Sequence, residues 1–255
     1  MRRRQRGGKR RDASAATFDV RSPVWHGRHH KHTTRSLRRI ALPSDLPDRP
    51  ISSRWRRWID QFRLDIQTFQ DRWGRDGIEQ YVAADFVHVA NAITFLRDDV
   101  FRTSNLPRRF CEWGCGFGLI TMLAADIGFD SVGIESENQL LHRGEQTRQQ
   151  LLAGPPDDPP AAAQFVVGNF LPPHSESLAD DPTLPSLNHP ANDPYETIGL
   201  DVADFGLIYS YPWPGENAFH RRVFAAHAAI GSVHLQFCGP NDVQAWQKVG
   251  HAMDA

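Results

Sequence analysis

Between positions 51 and 105 the apolar residues recur every three or four positions, which is the period of a helix with one buried face. A first helix is predicted over 52–73, with glycines at 74 and 77 at its end. Its apolar stripe is more typical of a core than of a binding surface and contains Trp55, Ile59, Phe62, Ile66, Phe69 and Trp73. A second helix is predicted over 78–96, with an inward face formed by Val82, Phe86, Val89, Ala90 and Ile93. This helical N-terminal segment is expected to pack on a sheet that follows it.

From position 106 onward, short apolar runs alternate with amphipathic segments. Strands are predicted over 110–113, 132–135, 164–168, 204–210 and 232–238, and helices over 119–127, 138–152, 219–230 and 242–249. This alternation indicates an α/β fold with a mostly parallel, doubly wound sheet, whose right-handed crossovers give the strand order 3-2-1-4-5. Because no residues remain for a closing edge hairpin, strand 5 is expected to be an exposed edge. Either the N-terminal helices cover this edge, or a second copy of the chain covers it in a homodimer.

Three glycines, at 114, 116 and 118, form the turn between the first strand and the next helix. Such a turn needs positive φ and a surface without Cβ atoms, so that a ligand can lie against the main chain. The helix that follows points its unpaired N–H groups toward this ligand. Glu135 then ends the second strand, where a carboxylate can hydrogen-bond to a ribose diol. The segment is therefore predicted to be a nucleoside-binding βαβ unit, the alternative being a turn that only packs the helix on the strand.

The spacing of the glycines distinguishes two kinds of nucleotide site. A dinucleotide-binding fingerprint needs a glycine at position 119, where this chain has leucine. The chain has instead Glu112-x-Gly114-x-Gly116-x-Gly118, followed by Glu135, and this resembles motif I and its successor in the class I S-adenosylmethionine-dependent methyltransferases. The resemblance covers about residues 105–250. It implies a Rossmann-like fold, S-adenosylmethionine as cofactor, and methyl transfer to an acceptor that the sequence does not identify.

The resemblance assigns cofactor binding to residues near the ends of the first three strands. Asn169 and Phe170 follow the third strand, where the family reads the adenine amino group with a side-chain amide or carboxylate. Asn169 could do so through its amide oxygen, or it could be an ordinary turn former. The predicted cofactor-binding residues are Glu112, Gly114, Gly116, Gly118, Glu135, Asn169 and Phe170.

The end of the fourth strand is the predicted catalytic region. In a doubly wound sheet the chain reverses direction between strands 1 and 4, and ligands bind outside the carboxyl ends there. Amino-methylating members of the family have a polar residue, two prolines and an aromatic residue at this tip, and the chain has Tyr211 in place of the first proline. The alternative is a rigid turn with packed aromatic side chains. The predicted catalytic residues are Ser210, Tyr211, Pro212 and Trp213.

A proline-rich stretch over 171–200 is predicted to be a surface loop that borders the substrate opening. It contains six prolines and five acids, so neither a strand nor a helix is expected in it. Methyl transfer needs a base only where the acceptor must lose a proton. His220 and His234 are weak candidates for this base, since packed histidines are more common. No spacing of cysteine, histidine and acidic residues indicates a metal site.

The first 50 residues differ from the rest of the chain in charge. Residues 1–40 carry 13 of the 29 Lys and Arg and 2 of the 30 acids, which leaves 16 and 28 for the remainder. Because residues 1–50 show almost no apolar periodicity, they are predicted to be a disordered basic arm. A solvated tail is the simplest interpretation. The alternatives are contact with nucleic-acid phosphates, an organelle transit peptide, or metal binding through histidines at 26, 29, 30 and 32.

Cysteine usage and hydropathy bear on the compartment. Three cysteines without a CxxC pair, no secretory signal and no run of about 20 apolar residues predict a cytoplasmic protein with reduced thiols. Residues 106–255 are expected to form the S-adenosylmethionine-binding domain, and the predicted function is methyl transfer. The alternatives are a module that binds S-adenosylmethionine without catalysis and, disfavoured by the leucine at 119, an NAD-dependent oxidoreductase.

Overall fold

A seven-stranded sheet forms the centre of the computed structural model, which describes residues 36–73, 82–152, 162–188, 193–240 and 242–250. Its strands are β1 Leu37–Ile40, β2 Arg109–Trp113, β3 Asp130–Glu135, β4 Ala163–Val167, β5 Leu207–Ser210, β6 Val233–Gly239 and β7 Asp242–Lys248. Their order across the sheet is β1-β7-β6-β5-β2-β3-β4. The helices are α1 Ser53–Trp73, α2 Phe86–Leu96, α3 Leu119–Ile127, α4 Asn138–Leu152, α5 Pro194–Ile198 and α6 Asn217–His227. Short helical turns lie at Leu46–Asp48, Arg97–Phe101, Ser175–Leu178, Pro185–Asn188 and Val202–Asp204.

The parallel part of the sheet has the predicted topology. β4, β3, β2, β5 and β6 lie side by side and run parallel, which is the order 3-2-1-4-5 expected for the five predicted strands. Trp113 at the end of β2 is in register with Ile134 of β3 and with Ser210 of β5. The carboxyl ends of these strands therefore lie level at one edge, where α/β sheets bind ligands. The predicted fold class is confirmed.

The described chain ends in a strand, and the predicted helix over 242–249 is wrong. β7 pairs antiparallel with β6 on one side and with β1 on the other. Val243 and Ala245 are buried while their neighbours are less so, which is the two-residue period of a strand. The closing hairpin, expected to be missing, is therefore present. Strand 5 of the prediction (β6) is internal, so the exposed edge on which the homodimer prediction rests does not exist.

Residues 36–50 are folded, which corrects the prediction that the whole stretch 1–50 is disordered. β1 pairs with β7 along its length. The turn that follows is anchored by Leu46, which is fully buried, and by the Asn91 amide, which donates to the carbonyls of Leu46 and Arg49 at 3.0 Å each. These contacts join distant segments, so the local sequence contains no sign of them. Residues 1–35, with the four histidines, lie outside the described residues.

The helices that flank the glycine turn match their predicted bounds better than the others. α1, α3 and α4 begin and end within one residue of the prediction, whereas α6 covers Asn217–His227 instead of 219–230. α2 begins at Phe86 because Asp85 caps it, accepting hydrogen bonds from the N–H groups of Val87 and His88 at 3.1 Å each. Val82, predicted to face inward, is 57% exposed. Residues 74–81 of the predicted second helix and its linker lie outside the described part of the chain.

Helices cover both faces of the sheet. α1, α2 and α3 pack on one face, where the α1 stripe is buried through Ile59, Phe62 and Ile66. The prediction that this stripe forms core is confirmed from Ile59 to Phe69, and the side chain of Trp73 lies outside the described part of the chain. α6 packs on the other face, against a second apolar cluster that includes Cys111 and Ile208. Within the described ranges, no helix combines the length and the apolar character that crossing a bilayer requires.

The segment 171–200 contains helix, contrary to the prediction. Two single-turn helices and α5 lie in it, and Asp193 caps α5 by accepting from the N–H groups of Tyr195 and Glu196. The side chains of Ser175, Ser186 and Tyr195 are buried. The described parts of the segment, 171–188 and 193–200, therefore pack against the α6 side of the sheet.

Candidate functional site

The glycine turn between β2 and α3 has the predicted backbone torsions. Gly114, Gly116 and Gly118 have φ angles of 74°, 54° and 80°. Gly118 precedes α3, and a Cβ there would overlap the Phe165 ring of β4, so this glycine allows the turn to pack against β4. Gly114 lines a cavity, and a Cβ there would have no atom within 4 Å. Of the three, Gly114 is the glycine whose missing side chain leaves room for a ligand.

Glu135 ends β3 beside this turn and shapes it. Its carboxylate accepts hydrogen bonds from the N–H groups of Gly116 (2.8 Å) and Glu137 (2.9 Å) and from the Ser136 hydroxyl (3.3 Å). The side chain lines the cavity although it is only 7% exposed. A carboxylate has about four acceptor positions, so about one remains for a ligand hydroxyl.

Glu112, also predicted to bind cofactor, lies behind the turn and is not among the cavity-lining residues. It is buried and accepts hydrogen bonds from the Thr121 N–H (2.8 Å) and hydroxyl, which ties β2 to the first turn of α3. Burial raises its pKa to about 8, against the Thr121 hydrogen bonds, and the Glu135 charge adds to the rise. Glu112 is therefore mostly protonated at neutral pH and supports the turn from behind.

Asn169 and Phe170 follow β4, and both line the cavity. The Asn169 amide oxygen accepts from the Leu171 N–H (3.0 Å), and its amide nitrogen donates to the Ser186 carbonyl (3.1 Å). These are the hydrogen bonds of a turn former, the alternative that the sequence left open. The Phe170 ring stacks on Trp113, with centroids 5.1 Å apart and planes 15° apart. The two residues thus form an aromatic and amide wall at the ends of β2 and β4.

Three of the four predicted catalytic residues line the same cavity. Tyr211, Pro212 and Trp213 follow β5 into its wall, and Trp213 is 37% exposed. Burial raises the pKa of Tyr211, which makes its hydroxyl harder to ionise. Ser210 is fully buried instead, with its hydroxyl 2.9 Å from Nε2 of His234. Burial holds the pKa of His234 well below its usual value, so this pair is a neutral packed contact behind the cavity wall.

A buried polar group in the cavity wall joins His220, a weak candidate base in the sequence, to Glu216 and Ser186, which the sequence analysis does not single out. Glu216, fully buried, accepts from the Ser186 N–H (2.9 Å) and hydroxyl (2.6 Å), and its carboxylate lies 3.5 Å from His220 Nε2. Ser186 and His220 line the cavity. The spacing of Glu216 and His220 by one helical turn is visible in the sequence. Ser186 joins them from a distant segment, for which the sequence has no signal.

Burial and hydrogen bonding together set the charges of this group. Burial alone would raise the pKa of Glu216, but the hydrogen bonds from His220 and Ser186 outweigh it and hold the pKa below its usual value. Burial lowers the pKa of His220, against the attraction of Glu216. At neutral pH the group is therefore a carboxylate beside a neutral imidazole, whose Nδ1 has no hydrogen-bond partner among the described residues. A neutral imidazole can accept a proton.

The cavity has a volume of about 420 Å³, which is in the range of small-molecule sites. One half lies at the ends of β2, β3 and β4, with Gly114 and Glu135, and the other lies at the ends of β5 and β6, with Trp213 and Cys238. Among the described residues, its lining includes the carboxylates of Glu135 and Glu137 and no lysine or arginine. The cavity therefore favours a neutral or cationic ligand over an anionic one. In the same described ranges, no three His, Cys, Asp or Glu side chains are grouped to hold a metal ion.

The sequence is similar to that of a curated methyltransferase. It is 26% identical over 155 residues to the ribosomal protein L11 methyltransferase of Stenotrophomonas maltophilia (strain K279a). The match covers 49% of this chain and 50% of that protein. The chain thus spans about half the length of this relative. No protein-family model matches the chain.

Solved structures of methyltransferases also match, at low sequence identity. A methyltransferase from Geobacter sulfurreducens is 11% identical with a TM-score of 0.39, and the match covers 78% of this chain and 99% of that one. An RNA methyltransferase from Salinibacter ruber, in complex with S-adenosyl-L-homocysteine, is 15% identical with a TM-score of 0.35. The match covers 63% of this chain and 94% of that one.

The sequence motif, the strand order and the curated relative agree on one class of protein. The glycine turn follows the central parallel strand, and Glu135 ends the strand beside it. The chain has the Rossmann-like α/β fold, and its resemblance to the class I S-adenosylmethionine-dependent methyltransferases is confirmed.

Proposed function

We propose that this protein transfers a methyl group from S-adenosylmethionine to an acceptor. The observation that carries the proposal is that Gly114 and Glu135 of the resembled motif and Trp213 of the predicted catalytic tip line one cavity. The similarity to a curated methyltransferase, over half of each chain, supports it.

The cavity lining fits a nucleoside that carries a cationic sulfonium. Gly114 leaves the main chain bare, and the Glu135 carboxylate retains about one acceptor position for a ribose hydroxyl. No lysine or arginine among the described lining residues would repel a positive sulfur. The cofactor supplies an electrophilic methyl group when bound. The task of the chain is to align the acceptor and to exclude water, which can lower a barrier by several kcal/mol.

The acceptor is proposed to enter at the β5–β6 half and to be a side-chain amine of a protein. The relative is named for a ribosomal protein, and the Trp213 face can hold a cationic amine before it loses its proton. The neutral imidazole of His220, backed by the Glu216 carboxylate, lies in the cavity wall as the group that would accept this proton.

Calorimetry of the purified chain with S-adenosylmethionine, S-adenosylhomocysteine and NAD tests the cofactor. We expect the first two to bind and NAD to bind much more weakly. Tighter binding of NAD would overturn the proposal and favour the oxidoreductase.

Cofactor with a labelled methyl group, incubated with cell extract, tests the transfer. We expect label that protease digestion releases and ribonuclease does not. Cofactor binding without transfer to any component of the extract would favour the non-catalytic binding module.

A further inference from the structure

Two arginines converge on one tryptophan at the edge of the sheet, outside the cavity. Arg39 lies on β1, Trp246 on β7 and Arg221 on α6. The guanidinium carbons of Arg39 and Arg221 lie 5.6 Å and 5.5 Å from the centroid of the indole ring. Both arginines are thus held by cation–π contact with the same side chain. These three residues are called the arginine–tryptophan patch below.

Neither arginine of the patch forms an ion pair with a carboxylate of the described residues. Arg221 donates to the neutral side-chain oxygen of Gln236 at 2.7 Å, whereas its neighbour Arg222 lies 2.9 Å from the Asp180 carboxylate. Burial lowers the pKa of Arg221, and the charges of Arg222 and Arg39 lower it further. Like charges therefore share this edge without a counter-ion from the described protein, which an anionic ligand would supply.

The patch borders the β5–β6 half of the cavity. Cys238 lines the cavity. Burial, and after it the charge of Asp242, raises the pKa of the Cys238 thiol to about 11, and the charges of Arg221 and Arg39 oppose this rise. The Gln236 side-chain oxygen that accepts from Arg221 also lies 3.7 Å from the Cys238 sulfur, so one side chain joins Arg221 to the cavity wall. Asp242 itself accepts from the Gln244 amide at 3.0 and 3.1 Å. A ligand on the patch would lie next to the half of the cavity where the acceptor is proposed to enter.

The chain reaches the patch from a strongly basic segment. Arg39 follows residues 1–35, which carry 11 Lys and Arg against 2 Asp. Guanidinium groups bind phosphate oxygens through paired hydrogen bonds. A ligand with one phosphate would need the patch alone, whereas the excess of positive charge in this part of the sequence favours a ligand with a row of phosphates. The combination favours a polyanion with regularly repeated phosphates.

We propose that the arginine–tryptophan patch binds the phosphodiester backbone of a nucleic-acid strand, so that an acceptor side chain on a protein bound to that strand reaches the cavity. The binding itself does not depend on the proposed methyl transfer, and only the delivery of an acceptor rests on that function. Backbone contacts carry no sequence information, so we expect little sequence preference.

The test is fluorescence anisotropy of a labelled single-stranded RNA of about 20 nucleotides with the full chain, over a range of salt concentrations. The variants are Arg39→Gln, Arg221→Gln and the double variant. The control is Arg56→Gln, which removes an exposed arginine from α1 in the opposite helix layer. Each contact with a single-strand phosphate contributes about 0.7 to the salt slope, or about fourfold in affinity near 0.15 M salt. We expect about fourfold loss in each single variant, about fifteenfold in the double variant, and less than about twofold in the control.

RNA affinity of Arg39→Gln and Arg221→Gln equal to that of Arg56→Gln would overturn the proposal. Arg39 is exposed on β1, so its variant keeps the test decisive if the Arg221 variants fail to fold. A polyglutamate peptide is the second probe. Binding of this peptide as tight as that of RNA, with the same loss in the double variant, would assign the patch to acidic protein segments and overturn the nucleic-acid assignment.

Cofactor calorimetry separates this proposal from the proposed function. Neither arginine lines the cavity, so the double variant should bind S-adenosylmethionine like the wild type. A wild-type chain that binds RNA through the patch but does not bind S-adenosylmethionine would refute the proposed function and leave the patch in place.

Discussion

The two halves of the cavity are built from different kinds of contact. The half at the ends of β2, β3 and β4 is centred on one continuous stretch, 109–135, whose strand ends, turn and helix are joined through Glu112 and Glu135, and Asn169 and Phe170 complete its wall. The half at the ends of β5 and β6 draws on α6, β6 and the segment 171–188. A locally built half suits a ligand that is constant, whereas a half assembled from loops can differ between relatives of the same fold. This is why the motif indicates a cofactor and leaves the acceptor open.

Each half is supported from behind by a buried glutamate, and the two glutamates differ in charge. Glu112 has hydrogen bonds from Thr121 alone and faces the charge of Glu135, so it keeps its proton at neutral pH. Glu216 has two hydrogen bonds from Ser186 and the contact with an imidazole, so it remains a carboxylate. The charge of a buried acid thus depends on the balance between burial, which raises the pKa, and hydrogen-bond donors, which lower it.

The largest effect that tests this comparison is expected from Glu112→Gln. The pKa of Glu112 is raised from 4.5 to about 8, so the folded state holds an extra proton between these pH values and wild-type stability falls as pH rises through them. Glutamine does not titrate. The free energy of unfolding of the variant, relative to wild type, should therefore increase by on the order of 3 kcal/mol between pH 5 and pH 9. Urea denaturation at both pH values measures it.

The matched control is Glu145→Gln on α4. Glu145 pairs with Arg148 at 2.7 Å, and hydrogen bonding from that arginine lowers its pKa, so no gain at pH 9 is expected. Parallel pH profiles for wild type and Glu112→Gln would mean that Glu112 is ionised in the folded protein.

The next effect concerns the ligand side of the same half. Gly114→Ala places a Cβ in the cavity and strains a residue with φ of 74°, and we expect S-adenosylmethionine affinity to fall on the order of 100-fold, about 2.7 kcal/mol. Gly199→Ala is the control, because Gly199 has φ of 66°, equally open space around its Cβ, and a position away from the cavity. Calorimetry should show a loss in the first variant only. Equal affinities in the two variants would place the cofactor elsewhere.

The sequence predicts the parts of the molecule whose causes are local. Gly118 and Glu135 belong to a turn and strand end that a short stretch specifies, and the parallel strand order follows from crossover handedness. β1, β7 and the contact of Ser186 with Glu216 depend on pairing between segments far apart in the chain. The apolar positions 243 and 245 alternate with polar residues, which could have indicated a strand. A run of only seven residues, however, fits both the helical period and the two-residue period of a strand.

Glu216→Gln tests the second half of the cavity. It removes the charge from the hydrogen bonds with Ser186, and we expect a loss of about 2 kcal/mol of stability at pH 7. The pKa of Glu216 is lowered in the folded state, so its contribution is present above the usual value of 4.5 and is lost as pH falls through the folded value. The difference from wild type should shrink in acid, opposite to the trend of Glu112→Gln. A difference that does not change with pH would mean that Glu216 is not ionised.

The smallest effect is expected from Trp213→Ala, and it separates the two halves by function. Trp213 is 37% exposed in the cavity wall, so its removal should change stability little, and its flat face lies in the half proposed for the acceptor. We expect turnover to fall at least tenfold, about 1.4 kcal/mol of barrier, with S-adenosylmethionine affinity nearly unchanged. Leu64→Ala on α1 is the control, since Leu64 is an apolar side chain with 58% exposure on the opposite helix layer and should leave both quantities unchanged. Transfer of labelled methyl groups to extract measures turnover. If Trp213→Ala transfers label as fast as Leu64→Ala, the tip of β5 is only a packed turn. If Trp213→Ala instead loses both turnover and cofactor affinity, the acceptor and the cofactor do not bind in separate halves of the cavity as proposed.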